Sequence, residues 1–198
     1  MATTDSTPTY PKYIYKILPS SAAPPTPLPD VLPVSELDSR DGFIHLSTSK
    51  QLVGTLNAFF AYHVPANFLL FFFLPSHPLL HPSHGLTNLT PKSNESHVYL
   101  LRIPYSNVAP HVKWEDAIGK TPEEVGGCWD TEGKAGFFPH VYNGLRLGRE
   151  EVDALGLWKR GEGAWGDFGE EGEGLVEWVG VDGIFVGGAV ADCSLVVG

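Results

Sequence analysis

Residues 41–51 read Asp41-Gly42-Phe43-Ile44-His45-Leu46-Ser47-Thr48-Ser49-Lys50-Gln51, and the reading of this stretch decides the fold class. Residues 42–46 form a short aromatic and β-branched run of strand character. Thr48 with Gln51 three positions later is a capping-box pattern that starts a helix. Leu52, Leu56, Phe59 and Phe60 then recur at helical spacing and give that helix a core-facing stripe, and Pro65 limits it.

Outward from this strand-to-helix unit, most of the chain has strand character. Residues 13–18 (YIYKIL) are a first strand, and the six prolines of residues 19–33 predict an extended connector without ladder hydrogen bonds. Residues 67–74 are apolar on both faces and read as a central strand. Residues 98–103 form another strand, 113–115 a short edge segment, and 137–142 a compact apolar segment. Residues 145–147 and 152–158 are strands, or a strand and a helix. The stretches 75–97 and 116–136 read as insertions, the second with one helical turn near 122–125. Many strands with one clear helix give a compact mixed α+β domain over residues 12–158, not a βαβ array. Residues 1–11 read as a disordered arm. Residues 159–174, with six glycines and five acidic side chains, read as a mobile surface loop that can be shortened. Strand character returns over 175–190, within a C-terminal extension, 175–198, that packs on the domain.

Composition sets limits on function. The chain has 198 residues, enough for one sizeable core, and 13 basic against 23 acidic residues give a net charge of −10. Such a chain has no global field for nucleic acid or an anionic bilayer. Its longest apolar run is too short to span a membrane. The polar N-terminus and the two cysteines, Cys128 and Cys193, make the cytoplasm the expected compartment. Cys128 has no visible activating partner, and no phosphate loop, dinucleotide GxGxxG or hydrolase signature is present. His77, His81 and His84 sit in a proline-containing insertion that does not make them converge, so no metal site is expected.

Three segments carry side chains suited to chemistry. His45 lies near the end of a strand, with Ser47 and Thr48 at a helix N-terminus. Imidazole there can hold a ribose hydroxyl or move a proton, and free backbone donors can take a phosphate. The simpler reading is a capped helix with one structural histidine. In Lys113-Trp114-Glu115, Trp114 can supply a stacking wall and Glu115 a carboxylate where oxocarbenium charge develops. The alternative is a core tryptophan beside a solvated glutamate. In Phe138-Pro139-His140-Val141-Tyr142-Asn143-Gly144, an extended backbone puts His140 and Tyr142 on one side, ahead of an Asn-Gly turn. A structural turn with a buried histidine is the alternative there.

These motifs together resemble the DUF952 family of small, mostly uncharacterised proteins. The matching pieces are Ile14-Tyr15-Lys16-Ile17, residues 41–48 with Gln51, Trp114-Glu115, and Phe138-Pro139-His140-Val141-Tyr142 with Gly144, in order and at fitting spacing. The resemblance implies an α+β fold like that of ADP-ribosyltransferases, with a split, bent β core and a cleft. It also implies NAD or another ribosyl phosphate as a possible ligand. It places His45, Trp114, Glu115, His140 and Tyr142 as candidate cleft residues; with the helix-start reading added, the expectation is His45, Glu115 and His140 for the chemistry and Ser47, Thr48, Trp114 and Tyr142 for binding the ligand. The chain departs from the family in residues 20–33, where a proline-rich stretch replaces a tryptophan-bearing helical segment. Three readings follow: an enzyme acting on a nucleotide-like molecule, a binding module that keeps the cleft without chemistry, or an interaction protein using Trp165, Phe168 and Trp178. No arginine lies in the motifs, so phosphate binding on the first reading calls on Arg40, Lys16 or Arg102.

Overall fold

The computed structural model describes residues 10–61, 94–116, 119–125, 136–169, 172 and 175–187. The expected central strand at 67–74, His77, His81 and His84 of the 75–97 insertion, and both cysteines lie outside the described residues. Among the described residues, eight strands form two antiparallel sheets. The larger has the order β1 (Tyr13–Pro19), β3 (His97–Pro104), β6 (Ala154–Lys159), β7 (Val176–Gly180) and β8 (Phe185–Gly187). The smaller has the order β2 (Ile44–His45), β5 (Phe138–Val141) and β4 (Val112–Glu115). Helices α1 (Glu36–Asp41) and α2 (Ser49–Phe59) flank β2, and the short α3 (Tyr105–Val108) and α4 (Pro122–Val125) lie on either side of β4 in the chain. This is a mixed α+β domain with split antiparallel sheets.

Side-chain alternation along β1 and β3 divides the core in two. Ile14, Leu101 and Ile103 face one apolar cluster with Ile44 and Val141 of the small sheet and Leu46 just after β2. Tyr15, Val98 and Leu100 face the other, with Leu52 and Leu56 of α2. The large sheet is therefore covered on both faces. Mutual backbone hydrogen bonds between Tyr15 and Ser47, 2.8 and 2.9 Å, tie the two sheets together.

Several expectations are corrected here. The 19–33 connector is anchored rather than merely extended. Leu28 and Leu32 are buried, and their N–H groups donate to the carbonyls of Val181 and Leu147. Residues 160–169 lack regular structure, yet Trp165 and Phe168 are 3% and 1% exposed inside the second cluster. Two large aromatic anchors are not a dispensable loop, so the expectation that this stretch can be shortened is withdrawn. Residues 145–147 are not a strand; Leu145 takes a positive φ of 63° beside the Gly144 turn. Strand β7 pairs with β6 throughout its length, making residues 176–180 an inner strand of the large sheet.

Candidate functional site

The outer face of the small sheet gathers the histidines. Ile44 and Val141 pair across β2 and β5 and point to the core, so the next pair, His45 and His140, points outward. Lys113 sits opposite His140 on the other flank. The two imidazole centroids are 5.2 Å apart, edge to face. Phe43 covers both: its ring lies 4.3 Å from His140, 4.5 Å from His45 and 5.1 Å from Tyr142.

Each histidine is held by a carboxylate. Glu115 Oε2 accepts from His140 Nδ1 at 2.9 Å and from the Tyr142 hydroxyl at 2.8 Å. With Nδ1 donating, His140 presents Nε2 as its free acceptor among the described residues. Burial pushes the His140 pKa below its ordinary value, and the nearby His45 charge adds to this against the opposing pull of Glu115. Burial and the Glu115 carboxylate together push the Tyr142 phenol up to about 12. Lys113 Nζ stands 4.2 Å over the Tyr142 ring.

His45 is held from α1. Asp38 Oδ1 accepts from both the backbone N–H and Nδ1 of His45, at 3.0 and 2.9 Å, while Asp41 lies 3.3 Å from Nε2. Asp38 Oδ2 accepts from Lys16 Nζ at 2.5 Å and from Ser35 Oγ at 2.7 Å. Burial pushes the Asp38 carboxyl up, but the His45 hydrogen bonds and the Lys16 charge outweigh it and hold it well below the usual range. Burial lowers the Lys16 pKa against the raising effect of Asp38.

The structure thus brings together His45, Glu115, His140 and Tyr142. Three expected ligand contacts are placed elsewhere. Trp114 alternates to the opposite face of β4 from Glu115 and packs 6.2 Å from the rings of Tyr10 and Tyr105. The aromatic wall beside the histidines is Phe43 instead. Ser47 and Thr48 are 4% and 2% exposed. The Ser47 hydroxyl lies 3.4 Å from that of Thr55, and Thr48 is engaged in the capping box with Gln51. Of the cations named for phosphate, Lys16 is paired with Asp38, Arg40 with Asp41 and Arg102 with Asp153.

Sequence reading missed Asp38 and Phe43. A signal for Asp38 was present: Ser35-Glu36-Leu37-Asp38 is an S-x-x-D helix start, and Gly42 ends the helix with a left-handed φ of 78°. Among the described residues no group of three or more histidine, cysteine, aspartate or glutamate side chains is arranged to hold a metal ion, and no helix is long and apolar enough to cross a membrane.

A family model described as "Protein of unknown function (DUF952)" matches residues 28–76 and 84–154, more than half of the chain. The chain belongs to the DUF952 family. Among solved structures, this DUF952 chain is similar to protein CC0527 from Caulobacter crescentus. Identity is 19% and the TM-score 0.43, over 80% of this chain and 96% of that one. A double mutant of the same bacterial protein matches with the same figures. No curated protein matches.

Proposed function

We propose that this DUF952 protein is an enzyme acting on a ribosyl phosphate compound, NAD or a relative, at the outer face of its small sheet. One observation carries the reading: two imidazoles, each fixed by its own carboxylate, face each other 5.2 Å apart under an aromatic ring. Such a pair suits proton transfer at neutral pH. The family resemblance implies a likeness to ADP-ribosyltransferases, a fold-level analogy that does not assign activity by itself.

On this reading His45 binds a ribose hydroxyl, Phe43 and Tyr142 flank the base, and Lys113 meets the phosphate. The bond between the ribose carbon and its nitrogen leaving group breaks with the electron pair going to the leaving group. Water or an acceptor hydroxyl attacks that carbon and passes its proton to His140 Nε2. Glu115 is a positioning residue: bound to His140 and Tyr142, it fixes the tautomer and stabilises the imidazolium. Its commitment to those two partners also favours a second reading, a binding module, in which the same face holds the ligand without turnover.

The test pairs calorimetric affinity with product formation for NAD, ADP-ribose and simple nucleotides. Glu115→Gln is expected to keep binding and lower turnover about 100-fold, leaving KM little changed. His45→Ala is expected to weaken binding. Failure of every one of these compounds to bind the unmutated protein overturns the ribosyl reading. Binding without any product, unaltered by Glu115→Gln, replaces the enzyme with the binding module.

A further inference from the structure

We propose that Asp41 is a second ribose-binding residue: with His45 it clasps the 2′- and 3′-hydroxyls of the reacting ribose, so that the site selects an unmodified cis-diol. The inference rests on the ribosyl reading and names which sugar that reading admits. Local structure makes the pair. Asp41 is the last residue of α1, Gly42 turns the chain with a left-handed φ of 78°, and β2 brings His45 back beside it. Asp41 Oδ2 then stands 3.3 Å from His45 Nε2, and the two side chains are 25% and 27% exposed. The Asp38 and Glu115 side chains that hold the two imidazoles are 4% and 11% exposed. The open edge of the centre is therefore at Asp41 and His45.

Hydrogen-bond inventory selects the ligand. Asp38 Oδ1 accepts two bonds from His45, and Asp38 Oδ2 accepts one each from Lys16 and Ser35, so this carboxylate is saturated. Glu115 Oε2 serves His140 and Tyr142. Asp41 is different. Arg40 donates once to each of its oxygens, at 2.6 and 3.0 Å, which leaves each a further lone pair. The Arg40 hydrogen bonds hold its carboxyl below the usual range against the opposing effect of burial, so it is an acceptor only. His45 Nδ1 is spent on Asp38, so Nε2 is the nitrogen offered to a ligand. In the neutral ring Nε2 accepts, and in the imidazolium it donates; a hydroxyl meets either need. The partner of Asp41 must donate. Two hydroxyls held side by side on one sugar ring make both contacts at once, as the 3.3 Å between the protein atoms requires. A deoxyribose leaves one contact unmade, and a phosphate on the diol brings an anion against the Asp41 carboxylate. Clasping the diol also directs the neighbouring anomeric carbon toward His140, whose ring centroid lies 5.2 Å from that of His45.

Calorimetry on the full chain tests the clasp with ADP-ribose and three analogues, whose terminal ribose lacks the 2′-hydroxyl, lacks the 3′-hydroxyl or carries a 2′-phosphate. The unmutated protein is expected to bind ADP-ribose about tenfold or more tightly than each analogue. Asp41→Asn keeps the size of the side chain and removes its charge. It is expected to weaken ADP-ribose about tenfold, to leave one of the two deoxy compounds at its unmutated affinity, and to narrow the gap between ADP-ribose and the phosphate. Affinities rather than site counts are compared, so a loss of folded protein does not mimic these outcomes. Failure of ADP-ribose to bind the unmutated protein counts against the ribosyl reading itself and removes the clasp with it. ADP-ribose that binds no more tightly than the deoxy compounds, or ligand ratios unchanged in Asp41→Asn, overturns the clasp and leaves the ribosyl reading standing.

Discussion

His140 shows how much of the site's behaviour a single environment determines. Burial favours its neutral form, so its imidazole is expected to titrate below the ordinary value of about 6.5. The unfolded chain then binds more protons than the folded one between the folded pKa and that ordinary value. Stability therefore rises with pH across that window and levels off above it. Denaturant melts on both sides of the window, compared with His140→Gln, check this: the variant should show a shallower slope, and an unchanged slope counts against the assignment. His45→Ala should raise the His140 pKa, because it removes the electrostatic effect by which His45 lowers it. Tyr142 gives a second test. Its phenol is held up to about 12 by burial and by Glu115. Glu115→Gln should bring the phenol back toward the ordinary value of about 10 in a spectroscopic titration. A phenol that titrates at the same pH in both proteins would remove Glu115 as its acceptor.

At the scale of elements, the inner strands of the large sheet are tightly fitted. A Cβ on Gly156 of β6 would lie 2.5 Å from Val176 Cγ1 and 2.7 Å from Trp178 Cζ3. Gly156→Ala is therefore expected to destabilise the protein by about 1–3 kcal/mol in chemical denaturation, through overpacking between β6 and β7. Phe168, 1% exposed against Tyr15 and Trp158, anchors the glycine-rich segment to the sheet. Phe168→Ala should lower unfolding free energy by about 3–5 kcal/mol, and a change under 1 kcal/mol would contradict the core assignment. The strands were legible in the sequence where aromatic and β-branched runs are bounded by prolines, as in β1 and β3. The α2 start was legible because its cap is a purely local pattern. The anchoring of 160–169 was not, because glycine and acid content dominates a local window while partners of Trp165 and Phe168 such as Asn57 and Tyr15 lie elsewhere in the chain. The aromatic side chains themselves were visible; their burial is a tertiary fact.

At the scale of the whole molecule, the two sheets share one of the two apolar clusters, and one histidine centre lies on the outer face of the smaller sheet. The convergence of His45, Glu115, His140 and Tyr142 follows from register: β2, β4 and β5 meet so that outward positions fall side by side. Sequence reading placed each residue on a motif, and alternation linked His140 with Tyr142. It did not rank Trp114 below Phe43, because which face of β4 is inward depends on Tyr10 and Tyr105, which come from other parts of the chain. It also did not reach the Lys16–Asp38–His45 chain, which joins β1, α1 and β2. The central claim is that His45 and His140 form one ligand-binding centre. The most direct measurement is an imidazole-nitrogen NMR titration of the unmutated protein with ADP-ribose. Signals of His45 and His140 are expected to shift together with a single dissociation constant while those of His97 and His111 stay in place. Saturable shifts of His97 or His111 instead, or no shift at His45 and His140, would contradict the account.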